Sequence, residues 1–186
     1  MFDKYEASGS IPEGLANLEA GPVLAGFLSA IDVSELSGYD LIVVLKAHQR
    51  MASHHSAKVY EAMAAVWDGM ASLDDDPEFA PSASSAEIQT ALRLTRRAAD
   101  NALGLALDLF ERLPRVWEAL RCGDIDMPRV WVILRGTDHL PVETAREVVD
   151  QFIEDAGRLT TGQLAGRIRR LCVEADPEEA EQRYET

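Results

Sequence analysis

The sequence predicts an all-α protein, with a long N-terminal helix packed with a multi-helix body that contains a helix-turn-helix-like unit. Three observations predict it. Apolar residues recur at spacings of three and four almost throughout, which is the helical period. No run of strict alternation bounded by turn residues marks a strand. Helix-starting and helix-stopping residues then divide the chain into segments of helical length. The chain has 186 residues, 47% of them apolar and 27% charged, enough for a sizeable core in a globular composition.

The elements follow in order. Gly21-Pro22 opens a short helix through Ile31, with Pro where its missing N–H costs nothing. Ser37-Gly-Tyr-Asp40 reads as a capping box, and the helix it starts runs to about Ala71, since no Pro interrupts it. At 1.5 Å per residue this is a rod of roughly 50 Å. Along it Leu41, Leu45, His48, Ala52, His55, Val59, Ala62 and Val66 alternate at spacings of four and three. That is the seven-residue repeat of a helix–helix seam. Met51, Met63, Trp67 and Met70 widen the apolar face. The partner is either another helix of this chain or the same helix of a second copy, a homodimer with Leu45, Ala52 and Val59 in contact. His48 and His55 are expected to be buried in the seam. Charging a buried imidazole costs desolvation, so stability would then fall below about pH 6.

Leu73 to Ala83 is acidic, contains two Pro and reads as a loop. It divides an N-terminal arm (1–73) from a helical body (84–175), which is followed by an acidic tail (176–186). Ser84-Ser-Ala-Glu87 is a second capping box, starting a helix to Arg93. Thr95 caps a helix to about Leu113, and a short helix then closes at Gly123. Pro128 opens a helix to about Arg135, and Pro141 opens one ending near Ala156-Gly157. Thr160 caps the last, TGQLAGRIRRLCVEA.

Charge limits the partners. With 18 basic and 32 acidic side chains the net charge is −14, so contact with double-stranded DNA requires a local basic surface. Two segments offer one. In AEIQTALRLTRRAADNALGLA, two helices flank the tight turn Arg93-Leu94-Thr95. Ile88, Ala91, Leu92, Leu94, Ala98, Ala99 and Leu103 are expected to pack them together. In a helix-turn-helix, Arg93, Arg96, Arg97, Asp100 and Asn101 would face a major groove, where Arg and Asn pair with base edges. A plain helical hairpin has the same pattern. The second segment carries Arg158, Arg167, Arg169 and Arg170 with no acid between 156 and 173. It reads equally as a phosphate-contacting surface or as a cationic face docked on acidic protein.

Catalytic chemistry finds little support. His48 and His55 are seven residues apart, too far along one helix to share a metal without other ligands. His54-His55 lacks the later Asn and His of an HNH nuclease hairpin. Phosphate-binding glycine loops and a nucleophile elbow are absent. Asp74-Asp75-Asp76 lacks the spacing of a calcium loop and reads as solvated. Cys122 and Cys172 read as small buried groups in a reducing compartment. No apolar run suits a membrane span, and the start does not resemble a leader. The expectation is a cytoplasmic chain with no catalytic residue, metal or cofactor.

Three stretches resemble one family. They are LSGYDLIVVLKAHQRMASHHSAKVYEAMA, EIQTALRLTRRAADNALGLALDLFERLPRVWEALRCGDIDMPRV and AGRLTTGQLAGRIRRLCVEADPEEAEQR. Together they are similar to the actinobacterial 13E12 repeat family, also called domain of unknown function 222, from about Gly21 to Arg183. The most specific parts are Leu92-x-Leu-Thr-x-x-Ala-Ala99, Leu120-x-x-Gly-x-Ile125, and Ala156-Gly-Arg-Leu-Thr160 with Gln163-Leu164. The resemblance implies an all-α module that commonly precedes an HNH nuclease domain and aids DNA engagement. It transfers no catalytic residue, because the HNH motif is missing. Two functions follow as expectations: DNA binding or targeting on behalf of an HNH endonuclease, or a homo-oligomerisation or protein-interaction module with no DNA contact. A hydrolase or metalloenzyme has no constellation behind it.

Overall fold

The computed structural model describes residues 11–73 and 80–175, and the fold is all-α, with no strand among them. The helices are α1 (Pro22–Ser29), α2 (Gly38–Leu73), α3 (Ala80–Leu92), α4 (Arg96–Leu107), α5 (Pro114–Cys122), α6 (Met127–Thr137), α7 (Val142–Asp150), α8 (Ile153–Ala156) and α9 (Thr161–Ala175). Short 3-10 turns occupy Leu15–Asn17 and Val33–Glu35, and a π-helical turn, Asp108–Arg112, joins α4 to α5. The expected acidic loop falls largely on residues 74–79, and the tail on 176–186, outside the described residues.

Several boundaries follow from local chemistry. Pro22 stands in the first turn of α1, and the Thr95 hydroxyl accepts from the Ala98 N–H at the start of α4. Asp126 caps α6 by accepting from the Arg129 N–H at 3.1 Å. Thr160 and Gln163 form a reciprocal box before α9: the Thr160 N–H reaches Gln163 Oε1 at 2.9 Å, and the Gln163 N–H reaches Thr160 Oγ1 at 3.3 Å. Gly123 ends α5 with φ 80°. A Cβ there would lie 2.8 Å from Arg50 Cβ, so this glycine permits both the left-handed turn and the approach of α5 to α2.

Three expectations are corrected. α3 begins at Ala80, so Ser84 and Ser85 are buried inside a helix and do not cap one. The helix from Thr95 to Leu113 widens into the π turn over its last part. There Arg112 turns across to the end of α6, donating to the Thr137 and Leu140 carbonyls. The helix from Pro141 breaks at Gln151-Phe152, because Phe152 takes φ −137° and is buried in the core.

The apolar interior forms three clusters, and α2 supplies residues to each. Val43, Val44, Ala47 and Met51 close on Leu15, Leu24, Leu28 and Leu36. Ala57 joins the largest cluster, built from α5 to α9 and the π turn around Leu109, Leu113, Leu120, Ile133, Phe152 and Ile168. Met63 and Ala64 join Ile88, Ala99, Leu103 and Ala106 from α3 and α4.

Most arginines fasten these layers from outside. Arg50 donates to the Leu15 and Ala16 carbonyls, and Arg146 to those of Glu111 and Arg112. Arg129 is also largely enclosed, its side chain 21% exposed. It pairs with Asp126 at 2.7 Å and donates to the carbonyls of Ala156 and Leu159.

Two glycines should answer substitution in opposite ways. A Cβ at Gly157 would overlap the Asp124 carbonyl oxygen, a backbone atom that cannot step aside. Gly157→Ala should therefore cost about 1 to 3 kcal/mol in urea unfolding. At Gly104, inside α4, a Cβ would meet nothing within 4 Å. Gly104→Ala should stabilise by about 0.5 to 1 kcal/mol.

Candidate interaction surfaces

α2 carries two apolar stripes, and only one is buried among the described residues. The buried stripe is made mainly of small residues, Ala47, Ala57 and Ala64 with Val43, Val44, Met51 and Met63. Alanines on it let α1, α4 and α5 approach closely. Polar side chains interrupt the stripe and hide it from a sequence reading: the buried Ser53, and the half-buried Arg50 and His54. The latter two reach backbone carbonyls: the terminal amino groups of Arg50 donate to Leu15 and Ala16, although its buried Nε has no partner among the described residues, and His54 Nδ1 lies 2.7 Å from the Arg121 oxygen.

The stripe expected to be the seam points the other way. Leu45 is 62% exposed, Ile42 50%, Val59 49%, Leu41 39% and Val66 36%, and His48, Ala52, His55 and Ala62 are exposed as well. The expectation that His48 and His55 are buried within the chain is therefore wrong. The acid loss of stability was expected from their burial, and with both exposed it no longer follows. Ile42 was missed because it falls off the four–three spacing that starts at Leu41, although it too is exposed. Cys122, expected to be buried, is exposed beside Glu118, whereas Cys172 is buried as expected.

α3 and α4 form a hairpin joined through Arg93, which sits in the left-handed region at φ 53°. Ile88, Ala99 and Leu103 pack it as expected, but Ala91 and Leu92 face outward and Ser84 and Ser85 lie inside in their place. Arg93, Arg96, Arg97 and Asn101 are all exposed. Arg96 is nonetheless engaged: it pairs with Asp100 at 3.1 Å and donates to Ser82 Oγ at 3.2 Å. The Ser85 hydroxyl also donates to Asp100. That hydroxyl, with the Arg96 guanidinium, holds the Asp100 carboxyl below the usual carboxylate range. Asp100 thus ties α4 to α3, where a base-reading surface would leave Arg96 free.

The second basic segment divides similarly. Arg167 is half-buried, paired with Asp155 at 3.5 Å and donating to the Gln151 carbonyl at 2.8 Å. Arg158 also meets Asp155, at 3.4 Å. Arg169 and Arg170 are exposed, and among the described residues neither they nor Arg93 and Arg97 have an ion pair. α9 packs on α6 and α7, whereas α4 packs on α2 and α3, so no packed pair of helices joins the two basic segments. Among the described residues no group of three His, Cys, Asp or Glu could hold a metal.

What these elements define is an all-α module that, among the described residues, exposes an apolar face of α2 and several arginines without an ion pair. Residues 46–186 match the family model described as a domain of unknown function (DUF222), and the chain belongs to that family. No curated protein and no solved structure matched the chain.

The Asp100 tie has a signed pH consequence. A carboxyl held below its ordinary value stabilises the fold above about pH 4, and that contribution is lost as pH falls through the lowered value. Asp100→Asn should flatten the decline of melting temperature between about pH 5 and 2, relative to the parent chain. An unchanged acid limb would show that the Ser85–Asp100–Arg96 link carries no stability.

Proposed function

We propose that this chain is a non-catalytic association module whose working surface is the outward face of α2. The observation that carries the reading is that face itself. It is a sustained, uncharged apolar stripe in a chain of net charge −14, left open after every cluster has been closed by the opposite side of the helix. With an HNH nuclease domain following it, as the resemblance in the sequence implies, such association would bring nuclease domains together or hold them to a partner.

DNA engagement is the second reading, favoured by Arg93, Arg97, Arg169 and Arg170, which have no ion pair among the described residues, and by the exposed Asn101 midway along α4. It ranks lower because Arg96 and Arg167 are engaged within the chain. With so few free cations, duplex affinity should be weak, with a log–log salt slope of about −3 to −5.

A photo-crosslinking residue separates the two. Placed at Leu45 or Val59 in the producing cell, it should give a protein adduct of one defined mass. At Arg97 or Asn101 it should give none. Nucleic-acid adducts from Arg97 and Asn101, with nothing from Leu45 and Val59, would put DNA engagement first and remove the association reading.

A further inference from the structure

The open face of α2 has a pattern that its own helix can answer. Alternating steps of four and three from Leu41 to Val66 keep one seam in register over about 37 Å. We propose that this face is closed by the same face of a second copy, the two α2 helices running antiparallel about a twofold axis between Ser53 and His54. The proposal rests on the association reading above and names its partner.

Side-chain size selects this arrangement. With the axis there, Leu45 meets the partner's Ala62, and Ala52 meets the partner's His55. His48 meets the partner's Val59, and Leu41 meets the partner's Val66. Each layer sets a larger side chain against a smaller one, the condition for filling a seam without voids. A parallel pair in register would instead stack Ala52 on Ala52 and Ala62 on Ala62, leaving gaps. It would also bring His48 onto His48 and His55 onto His55. Antiparallel helices further place opposite macrodipole ends together. The result is a closed, self-complementary contact, as a twofold interface requires.

Charge permits the contact as well. The seam positions carry no carboxylate, Lys or Arg, and Ile42, Gln49 and Ser56 along one flank are uncharged. The −14 of each copy therefore acts only at a distance, and added salt should strengthen the dimer by screening it. Its strength is bounded by size. A stripe of about 37 Å by 10 Å covers roughly 400 Å² per copy, about 800 Å² in all, below the ~1,200 to 2,000 Å² of stable complexes. The dimer is accordingly weak, in the micromolar range.

The test uses the full chain with Cys122→Ser, leaving only the buried Cys172. Leu45→Cys and Ala62→Cys are prepared separately, mixed at about 100 μM and oxidised, a concentration suited to micromolar association. The mixture should give a disulfide-linked dimer, while each variant alone stays monomeric. Adding Val59→Glu to both should abolish the link without loss of helicity, because that side chain is exposed. Cross-linking of Leu45→Cys alone would show a parallel pair and overturn the proposal. So would a parent chain that sediments as a monomer at that concentration. Monomeric behaviour with photo-adducts of a different mass from Leu45 leaves the association reading standing; no adduct at all removes both.

Discussion

The structure depends on the packing of α2 against everything else. A 36-residue helix cannot bury its whole circumference in a chain of this size, so one side must close the interior and the other must face out. The inward side does so three times, with Met51 beneath α1, Ala57 against α5 and Met63 with Ala64 under the α3–α4 hairpin. Small residues at these contacts set the distance to each neighbour, and the Arg50 and His54 bonds to carbonyls hold two of them in place. Once those positions are assigned to packing, Leu41, Leu45, Val59 and Val66 are left on the outside.

The same argument explains the arginines. In an acidic chain of short helices, many helix ends and connecting turns leave carbonyl groups without partners. Arg112, Arg129 and Arg146 satisfy several of these at once, since a guanidinium can fork between two oxygens. Others pair with nearby carboxylates: Arg121 with Glu118, and Arg115 with Asp150 and Glu154. A basic residue in this fold is therefore more often a fastener than a contact for phosphate.

Much of the fold was legible because its signals are local. Pro22, Thr95, Gly123 and the Thr160–Gln163 box mark helix ends through bonds made within a few residues. The repeat from Leu41 to Val66 was legible too, but its burial was not. Size and spacing identify a stripe, whereas which stripe faces the core depends on distant neighbours. The true inner stripe looked broken because Arg50 and His54 lie in it, and only the Leu15, Ala16 and Arg121 carbonyls make them acceptable there. The α3–α4 surface was misjudged for a related reason. Asp100 was counted among the outward groups, and its link from Arg96 to Ser85 could not be read from the spacing alone.

The division of α2 into a folding side and a free side is open to one direct measurement, thermal unfolding at about 1 μM, where a micromolar dimer is largely dissociated. Leu45→Asp combined with Val59→Asp should leave the melting temperature within about 2 °C of the parent, since both side chains already face water. Met51→Asp, between them along α2 but on the buried side, should lower it by about 10 °C or prevent folding. Comparable losses from the outward pair and from Met51 would contradict the account, because they would place the Leu45–Val59 stripe inside the folded chain.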